Sequence, residues 1–122
     1  MEMGINHIEI WVSDLPRSDK FYSGLFELIG WKKLREGVWT CGQTQFYLRE
    51  EASTSRVLSL GVHHLCFQAE SREIVDAVAK WLVSIGSKIF GGPMGMENYS
   101  AGYYAVDFYD PDGMILEVAY TP

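Results

Sequence analysis

The sequence predicts an α+β fold in which two βαβββ modules follow one another along the chain. Its 122 residues, 48% of them hydrophobic, are enough for one compact core. A segment that alternates apolar and polar residues and then leads into an amphipathic helix occurs twice, at residues 6–30 and 63–86. After each helix come short alternating segments separated by glycine, a pattern typical of an antiparallel meander.

The first module is expected over about residues 1–50. Its helix begins after Ser13 or Asp14, either of which can cap it, and ends at Gly30. The strands of this module are expected at residues 6–12, 31–36, 38–41 and 45–49. Residues 51–60 are polar and have no regular period, so we expect them to link the two modules.

The second module is expected over about residues 61–122. Its helix is capped by Ser71 and ends at Gly86. The strands of this module are expected at residues 63–69, 88–91, 102–108 and 114–120. The glycine-rich residues 91–95 lack the spacing of a phosphate-binding loop and are expected to form a mobile flap.

Eight strands and only two helices leave one face of a sheet uncovered. We therefore expect a curved eight-stranded mixed sheet with an open concave cup. The apolar residues of each first strand pack under the helix, so the residues between them face the cup. Those residues are His7, Glu9 and Trp11 in the first module and His64, Cys66 and Gln68 in the second. In the last hairpin Asp107 and Glu117 fall on the cup side, and the repeat makes Tyr47 the counterpart of Glu117.

Two histidines at equivalent positions and one carboxylate predict a metal site with three protein ligands. The ligands would be His7, His64 and Glu117, and they suit one divalent ion of Ni, Zn, Mn or Fe with open positions for a substrate. A tyrosine keeps its proton near neutral pH, so Tyr47 is not expected to be a fourth ligand. His63 is expected to point away from the cup because it neighbours His64. The alternative is a pocket that binds no metal.

Further side chains are expected to line the cup. Glu9 is a candidate general base, since a carboxylate near a metal stays ionised, and Glu117 is a second candidate catalytic residue. Asp107 could serve as a hydrogen-bond acceptor or as a catalyst. An aromatic wall for a planar or apolar ligand is expected from Trp11, Trp39, Tyr47 and Tyr103. Cys41 and Cys66 are expected to be free and buried, with Cys66 and Gln68 at the cup.

Charge and hydropathy exclude several classes of partner. The chain has 10 Lys and Arg against 16 Asp and Glu, a net charge of −6, which argues against binding to nucleic acid. No apolar stretch is long enough to cross a membrane, and residues 1–4 do not begin like a signal peptide. We therefore expect a cytoplasmic protein that does not bind nucleic acid.

Three segments resemble the vicinal oxygen chelate superfamily, which includes glyoxalase I, extradiol dioxygenases and bleomycin resistance proteins. They are NHIEIWVSDL at residues 6–15, GVHHLCF at 61–67 and YYAVDFYDPDGMILEV at 103–118. The resemblance implies the same ligands, His7, His64 and Glu117, with Tyr47 where the family often has Glu or Gln.

For activity, the resemblance implies a glyoxalase-like lyase or isomerase whose substrate chelates the metal through vicinal oxygens. Two alternatives remain open: an extradiol-type Fe(II) dioxygenase, and a resistance or sequestration module that binds a small molecule without turnover. The resemblance also implies a homodimer, in which the metal ligands could come from both subunits.

Overall fold

The computed structural model describes residues 3–53, 55–57 and 59–122, which form two compact units that divide between residues 55 and 56. Each unit contains a strand, a helix and three further strands, so the α+β class and the two βαβββ modules are confirmed. The eight strands are hydrogen-bonded as two four-stranded mixed sheets, one in each unit. Residues 54 and 58 of the expected linker lie outside the described residues.

Unit 1 places one helix on a mixed sheet. Its elements are β1 (His7–Val12), α1 (Leu15–Ile29), β2 (Lys32–Arg35), β3 (Val38–Cys41) and β4 (Thr44–Glu50). The strands lie in the order β1-β4-β3-β2, with β1 and β4 parallel and the other pairs antiparallel. Asp14 caps α1 by accepting a hydrogen bond from the backbone N–H of Arg17 at 2.9 Å. Gly30 ends the helix with a φ of 94°, in the left-handed region that favours glycine.

Unit 2 repeats this arrangement. Its elements are β5 (Leu65–Gln68), α2 (Arg72–Ser84), β6 (Ile89–Gly95), β7 (Tyr104–Tyr109) and β8 (Ile115–Tyr120). The strands lie in the order β5-β8-β7-β6, with β5 and β8 parallel. Ser71 caps α2 as expected. Within the described residues neither helix is long and apolar enough to span a membrane.

The alternation predicted for the strands is confirmed. In β1, Ile10 and Val12 are buried, whereas the three residues expected on the other face, His7, Glu9 and Trp11, are exposed. In β8, Leu116 and Val118 are fully buried and Glu117 lies between them on the opposite face. The side of each sheet away from its helix therefore carries the candidate functional residues.

Trp39 is not a pocket residue, which corrects the expected aromatic wall. Its side chain is only 1% exposed and lies in the core of unit 1. Ring centroids of Tyr22 and Phe26 lie 6.2 and 5.2 Å from its own. The physical reason is register: Trp39 is paired with Phe46 across β3 and β4, and paired residues point to the same face of a sheet. Phe46 packs under α1, so Trp39 does too.

The glycine-rich segment 91–95 is part of a strand, not a flap. It belongs to β6, where Gly91 is paired with Asp107 and Met94 with Ala105 of β7. Glycine and proline usually interrupt strands, but β6 is an outer strand with two irregularities in its register, and such strands tolerate both residues. This wall of unit 2 is therefore a strand that is hydrogen-bonded to β7.

The two cysteines differ from expectation in one respect. Both are free, but Cys41 and Cys66 are exposed, not buried. Cys41 is the last residue of β3, and Cys66 lies on the face of β5 away from the helix. The expectation followed the average behaviour of free cysteine, which position in the strand overrides here.

Two of the four tryptophans, Trp39 and Trp11, provide a test of this core. Trp39→Ala is expected to lower the free energy of unfolding by about 3–5 kcal/mol, because it leaves a large cavity. Trp11→Ala is expected to change it by less than about 0.5 kcal/mol, since Trp11 is 54% exposed. Urea unfolding followed by far-UV circular dichroism measures both. Equal losses in the two variants would contradict a core position for Trp39.

Candidate functional site

Unit 2 brings together two of the three predicted metal ligands. His64 precedes β5, and Glu117 lies in β8, which pairs with β5. The Nε2 atom of His64 lies 3.2 Å from Oε1 of Glu117. Glu117 is 8% exposed, so its carboxylate is largely shielded from water and needs polar partners.

Tyr103 provides one of those partners. Its hydroxyl donates a hydrogen bond to Oε2 of Glu117, the oxygen not facing His64. Loss of hydration and this hydrogen bond to a carboxylate raise the pKa of Tyr103 above its usual value. Tyr103 therefore stays protonated at physiological pH and fixes the orientation of the Glu117 carboxylate.

His63 lies on the same side as His64, which corrects the prediction that it points away. The Nδ1 atoms of the two rings are 2.8 Å apart, and both rings line one cavity. The prediction applied strand alternation to both residues, but β5 begins only at Leu65. The backbone before the strand is free of that alternation. One Nδ1 atom of the pair must donate and the other accept, so the tautomers of the two rings are linked.

An open cavity of about 500 Å³ lies against this cluster within unit 2. Of the predicted site residues, His64, Tyr103, Asp107 and Glu117 line it. Sequence reasoning missed its remaining walls, which consist of His63, Phe90, Met94, Met96, Tyr99, Ala105 and Ile115. Alternation along β6 could not have found Met94, because the register of this strand shifts twice between Ile89 and Met94. Met96 and Tyr99 follow the strand and carry no periodic signal.

Asp107 adds a second carboxylate to the cavity. It is paired with Glu117 across β7 and β8 and is partly buried. Loss of hydration and the nearby charge of Glu117 raise the pKa of Asp107, and His64 partly opposes this shift. A carboxylate with a raised pKa is a better proton acceptor than an ordinary aspartate.

Two other predicted pocket residues of unit 2 lie beside the cavity without lining it. Cys66 is paired with Glu117, and desolvation of its thiol followed by the charge of Glu117 raises the pKa of Cys66 to about 12. It is therefore a poor nucleophile at neutral pH. Gln68 accepts a hydrogen bond from Thr121 at 3.0 Å and donates one to the carbonyl of Ala69. Its amide thus holds the end of the sheet.

The candidate residues of unit 1 surround a smaller, polar cavity of about 280 Å³. It is lined by Asn6, His7, Glu9, Gln45 and Tyr47. Nδ1 of His7 lies 2.7 Å from Oδ1 of Asn6, and its ring centroid lies 5.8 Å from that of Tyr47. The Tyr47 hydroxyl donates to Oε1 of Gln45.

Register confirms that Tyr47 is the counterpart of Glu117. Tyr47 is paired with Glu9, two residues after His7, and Glu117 is paired with Cys66, two residues after His64. Trp11 does not line the unit 1 cavity. It is exposed, and its Nε1 donates to Oε2 of Glu9 at 3.2 Å.

The donors of unit 2 fit a shared cation in part. Donors about 2.1 Å from an ion and about 90–110° apart lie about 3.0–3.4 Å from each other, close to the 3.2 Å between His64 and Glu117. Among residues 3–53, 55–57 and 59–122, no three His, Cys, Asp or Glu side chains form a group that could hold a metal. The predicted third ligand, His7, belongs to unit 1. The three-ligand site therefore stays a prediction.

Comparisons with known proteins place these observations in a family context. Residues 4–118 match the model of the Glyoxalase/Bleomycin resistance protein/Dioxygenase superfamily. The uncharacterized protein YqjT of Bacillus subtilis is 29% identical over 93% of this chain and 96% of its own length. A Bacillus halodurans protein assigned as a glyoxalase is 26% identical, with a TM-score of 0.77 over 96% of this chain and 95% of its own.

The fold extends to more distant relatives. A lactoylglutathione lyase from Agrobacterium tumefaciens shares 21% identity and a TM-score of 0.64, over 98% of this chain and 94% of its own. At that identity the similarity shows the fold alone.

The hydrogen bond between Tyr103 and Glu117 can be tested through stability. Tyr103→Phe is expected to lower the free energy of unfolding by about 1–3 kcal/mol, because a shielded carboxylate loses its donor. Tyr99→Phe serves as the matched control and is expected to cost less than about 0.5 kcal/mol, since Tyr99 is 66% exposed. Urea unfolding at neutral pH measures both. No difference between the variants would show that the hydroxyl of Tyr103 does not stabilise Glu117.

Proposed function

Because this chain belongs to the Glyoxalase/Bleomycin resistance protein/Dioxygenase superfamily, we propose that it is a glyoxalase-like, metal-dependent isomerase or lyase. Its substrate would be a small molecule with two neighbouring oxygens. The observation that carries the proposal is the pair of His64 and Glu117, with Nε2 and Oε1 3.2 Å apart at the wall of a cavity of about 500 Å³. A cavity of this size is typical of small-molecule sites.

The proposed ligands of a divalent ion are His64, Glu117 and His7. Ni, Zn, Mn and Fe all suit two imidazoles and one carboxylate, and a three-ligand set leaves positions open for a substrate. His7 would come from unit 1 of the same chain or of a second copy, and the proposed assembly is a homodimer. The cytoplasm is the proposed location. Tyr47 is not proposed as a ligand, because its hydroxyl already donates to Gln45.

The proposed chemistry combines a bound ion with two kinds of protein group. When bound, a divalent ion supplies a positive charge that stabilises negative charge developing on neighbouring substrate oxygens. Tyr103 holds the carboxylate of Glu117 in place through its hydrogen bond. His63 orients the ring of His64 through the contact between their Nδ1 atoms.

A proton acceptor completes the mechanism. Glu9 is proposed as the general base, in line with its position two residues after His7 on the same face of β1. Asp107 is an alternative base, because it lines the cavity beside Glu117 and has a raised pKa. Glu117 itself would act mainly by holding the ion.

Ring cleavage by an Fe(II) dioxygenase is the second candidate function. Two histidines and one carboxylate are the ligand set of non-haem Fe(II) oxygenases. The apolar wall formed by Phe90, Met94 and Ile115 favours this alternative, since it suits an aromatic ring. Oxygen consumption with catechols in Fe(II)-loaded protein distinguishes it from an isomerase. A sequestration module would bind its ligand tightly and turn over neither type of substrate.

Metal analysis provides the direct test of the proposed site. We expect the purified protein, dialysed against each of Ni, Zn, Mn and Fe(II) and then freed of excess ion, to retain close to one ion per site. Glu117→Gln is expected to lower the affinity at least about 100-fold, because losing a direct ligand costs more than losing a supporting group. Elemental analysis and competition with a chromogenic chelator measure both quantities.

Glu70→Gln is the matched control. Glu70 is exposed and does not line the cavity. The metal affinity of the Glu70→Gln protein is therefore expected to equal that of the unchanged protein. Equal metal content in Glu117→Gln and the unchanged protein, or no retained metal under any loading, would overturn the metal-dependent function.

A further inference from the structure

The residues that line the unit 2 cavity also indicate the chemical class of its ligand. We infer that it binds an organic molecule with an apolar, ring-sized body that carries no negative charge, and that Asp107 makes it reject anions. The inference rests on the proposed function only in taking this cavity as the substrate site. It stands on the residues that line the cavity.

Several large hydrophobic side chains that line this cavity are in contact with water. Phe90, Met94 and Tyr99 are 47%, 48% and 66% exposed. Met96, Ala105 and Ile115 complete the apolar lining. Covering such surface with an apolar ligand releases water, which is favourable. Methionines also adapt their shape to different ligands, so the wall suits a ring without specifying one.

The charged side chains that line the cavity are all acidic, apart from its two histidines. The 11 lining residues include two carboxylates, Asp107 and Glu117, and no Lys or Arg. Arg72, the arginine at the start of α2, lies over the ring of Tyr104, with 4.1 Å between its Cζ atom and the ring centroid. The hydroxyl of Tyr104 donates a hydrogen bond to Asp76, which lies in α2 like Arg72. Arg72 is therefore engaged on the helix side of the sheet, away from the cavity.

The position of Asp107 makes it the residue most able to discriminate by charge. Glu117 is already engaged by His64 and Tyr103, whereas neither of them donates a hydrogen bond to Asp107. Gly91 lies opposite Asp107 in β6, and an added Cβ there would come within 3.1 Å of Oδ2 of Asp107. The glycine thus leaves room for the carboxylate. An anionic group entering the cavity would meet this charge in a partly desolvated setting, where repulsion is stronger than in water.

Carboxylated and phosphorylated molecules are therefore disfavoured as ligands of the metal-free cavity. A neutral ligand meets no repulsion, and an ammonium group is attracted by Asp107. The expected order of affinity for ligands sharing one ring is ammonium or alcohol first, and carboxylate last.

Three probes that share a phenyl ring test this order: 2-phenylethylamine, which is cationic at neutral pH, 2-phenylethanol and phenylacetate. They are titrated into metal-free protein whose methionine ε-methyl groups carry ¹³C, so that the charge of a metal ion does not contribute. Met94 and Met96 line the cavity and report binding there. Met114 is buried and does not line it, so its signal is the internal control.

We expect the amine and the alcohol to shift the Met94 and Met96 signals with dissociation constants at least about tenfold below that of phenylacetate. Asp107→Asn is expected to narrow this ratio to about threefold or less, whereas Glu70→Gln leaves it unchanged. An unchanged Met114 signal verifies that each variant is folded. The comparison of the three probes on the unchanged protein tests the ligand class without any variant.

Several results would overturn the inference. Phenylacetate binding as tightly as the amine would refute rejection of anions, and an undiminished ratio in Asp107→Asn would refute the role of that residue. No shift of Met94 or Met96 with any probe would refute an apolar ligand. Because the protein is metal-free, these results are independent of the metal analysis, and either proposal can fail while the other stands.

Discussion

The parallel pairing of the first and last strand of each module is the constraint on which the rest of the structure depends. In unit 2 it sets β5 beside β8, with Cys66 opposite Glu117. Leu116 and Val118 are buried under α2, and because side chains alternate along a strand, Glu117 must lie on the opposite face. A shift of one residue would turn the carboxylate into the core and two apolar side chains into the cavity. Packing of the core and placement of the site are thus the same requirement.

The two units share this strand pairing but carry different side chains at equivalent positions. In unit 1 the position of Glu117 is taken by Tyr47, and the residue paired with Tyr47 on β3 is Val38, where unit 2 has Asp107. Both carboxylates of the unit 2 cavity therefore have uncharged counterparts. Unit 1 has His7 and Glu9 at a small polar cavity of about 280 Å³, while unit 2 has two paired carboxylates at a larger and more apolar one. The repeat conserves backbone geometry and lets the side chains specialise.

Sequence reasoning could predict most of the fold and part of the site because both follow from alternation. The order of strands and helices, the caps Asp14 and Ser71, and the position of Glu117 on the face away from the helix all come from local periodicity and short-range hydrogen bonding. The errors arise where periodicity stops or register decides. His63 precedes its strand, and Trp39 is placed by its pairing with Phe46. The distant wall of the cavity, including Tyr99, depends on the path of a non-periodic segment.

Proline at position 93 has a consequence for how unit 2 behaves toward other chains. It sits in β6, which pairs only with β7 among the described strands and so forms one border of its sheet. A proline has no N–H to offer an approaching strand, and irregular register prevents a straight border. A sheet whose border strand carries Phe90 and Met94 would otherwise invite strand-by-strand growth into aggregates. Unit 2 can therefore keep the exposed hydrophobic side chains of β6 at the border of its sheet and still resist fibril-like association.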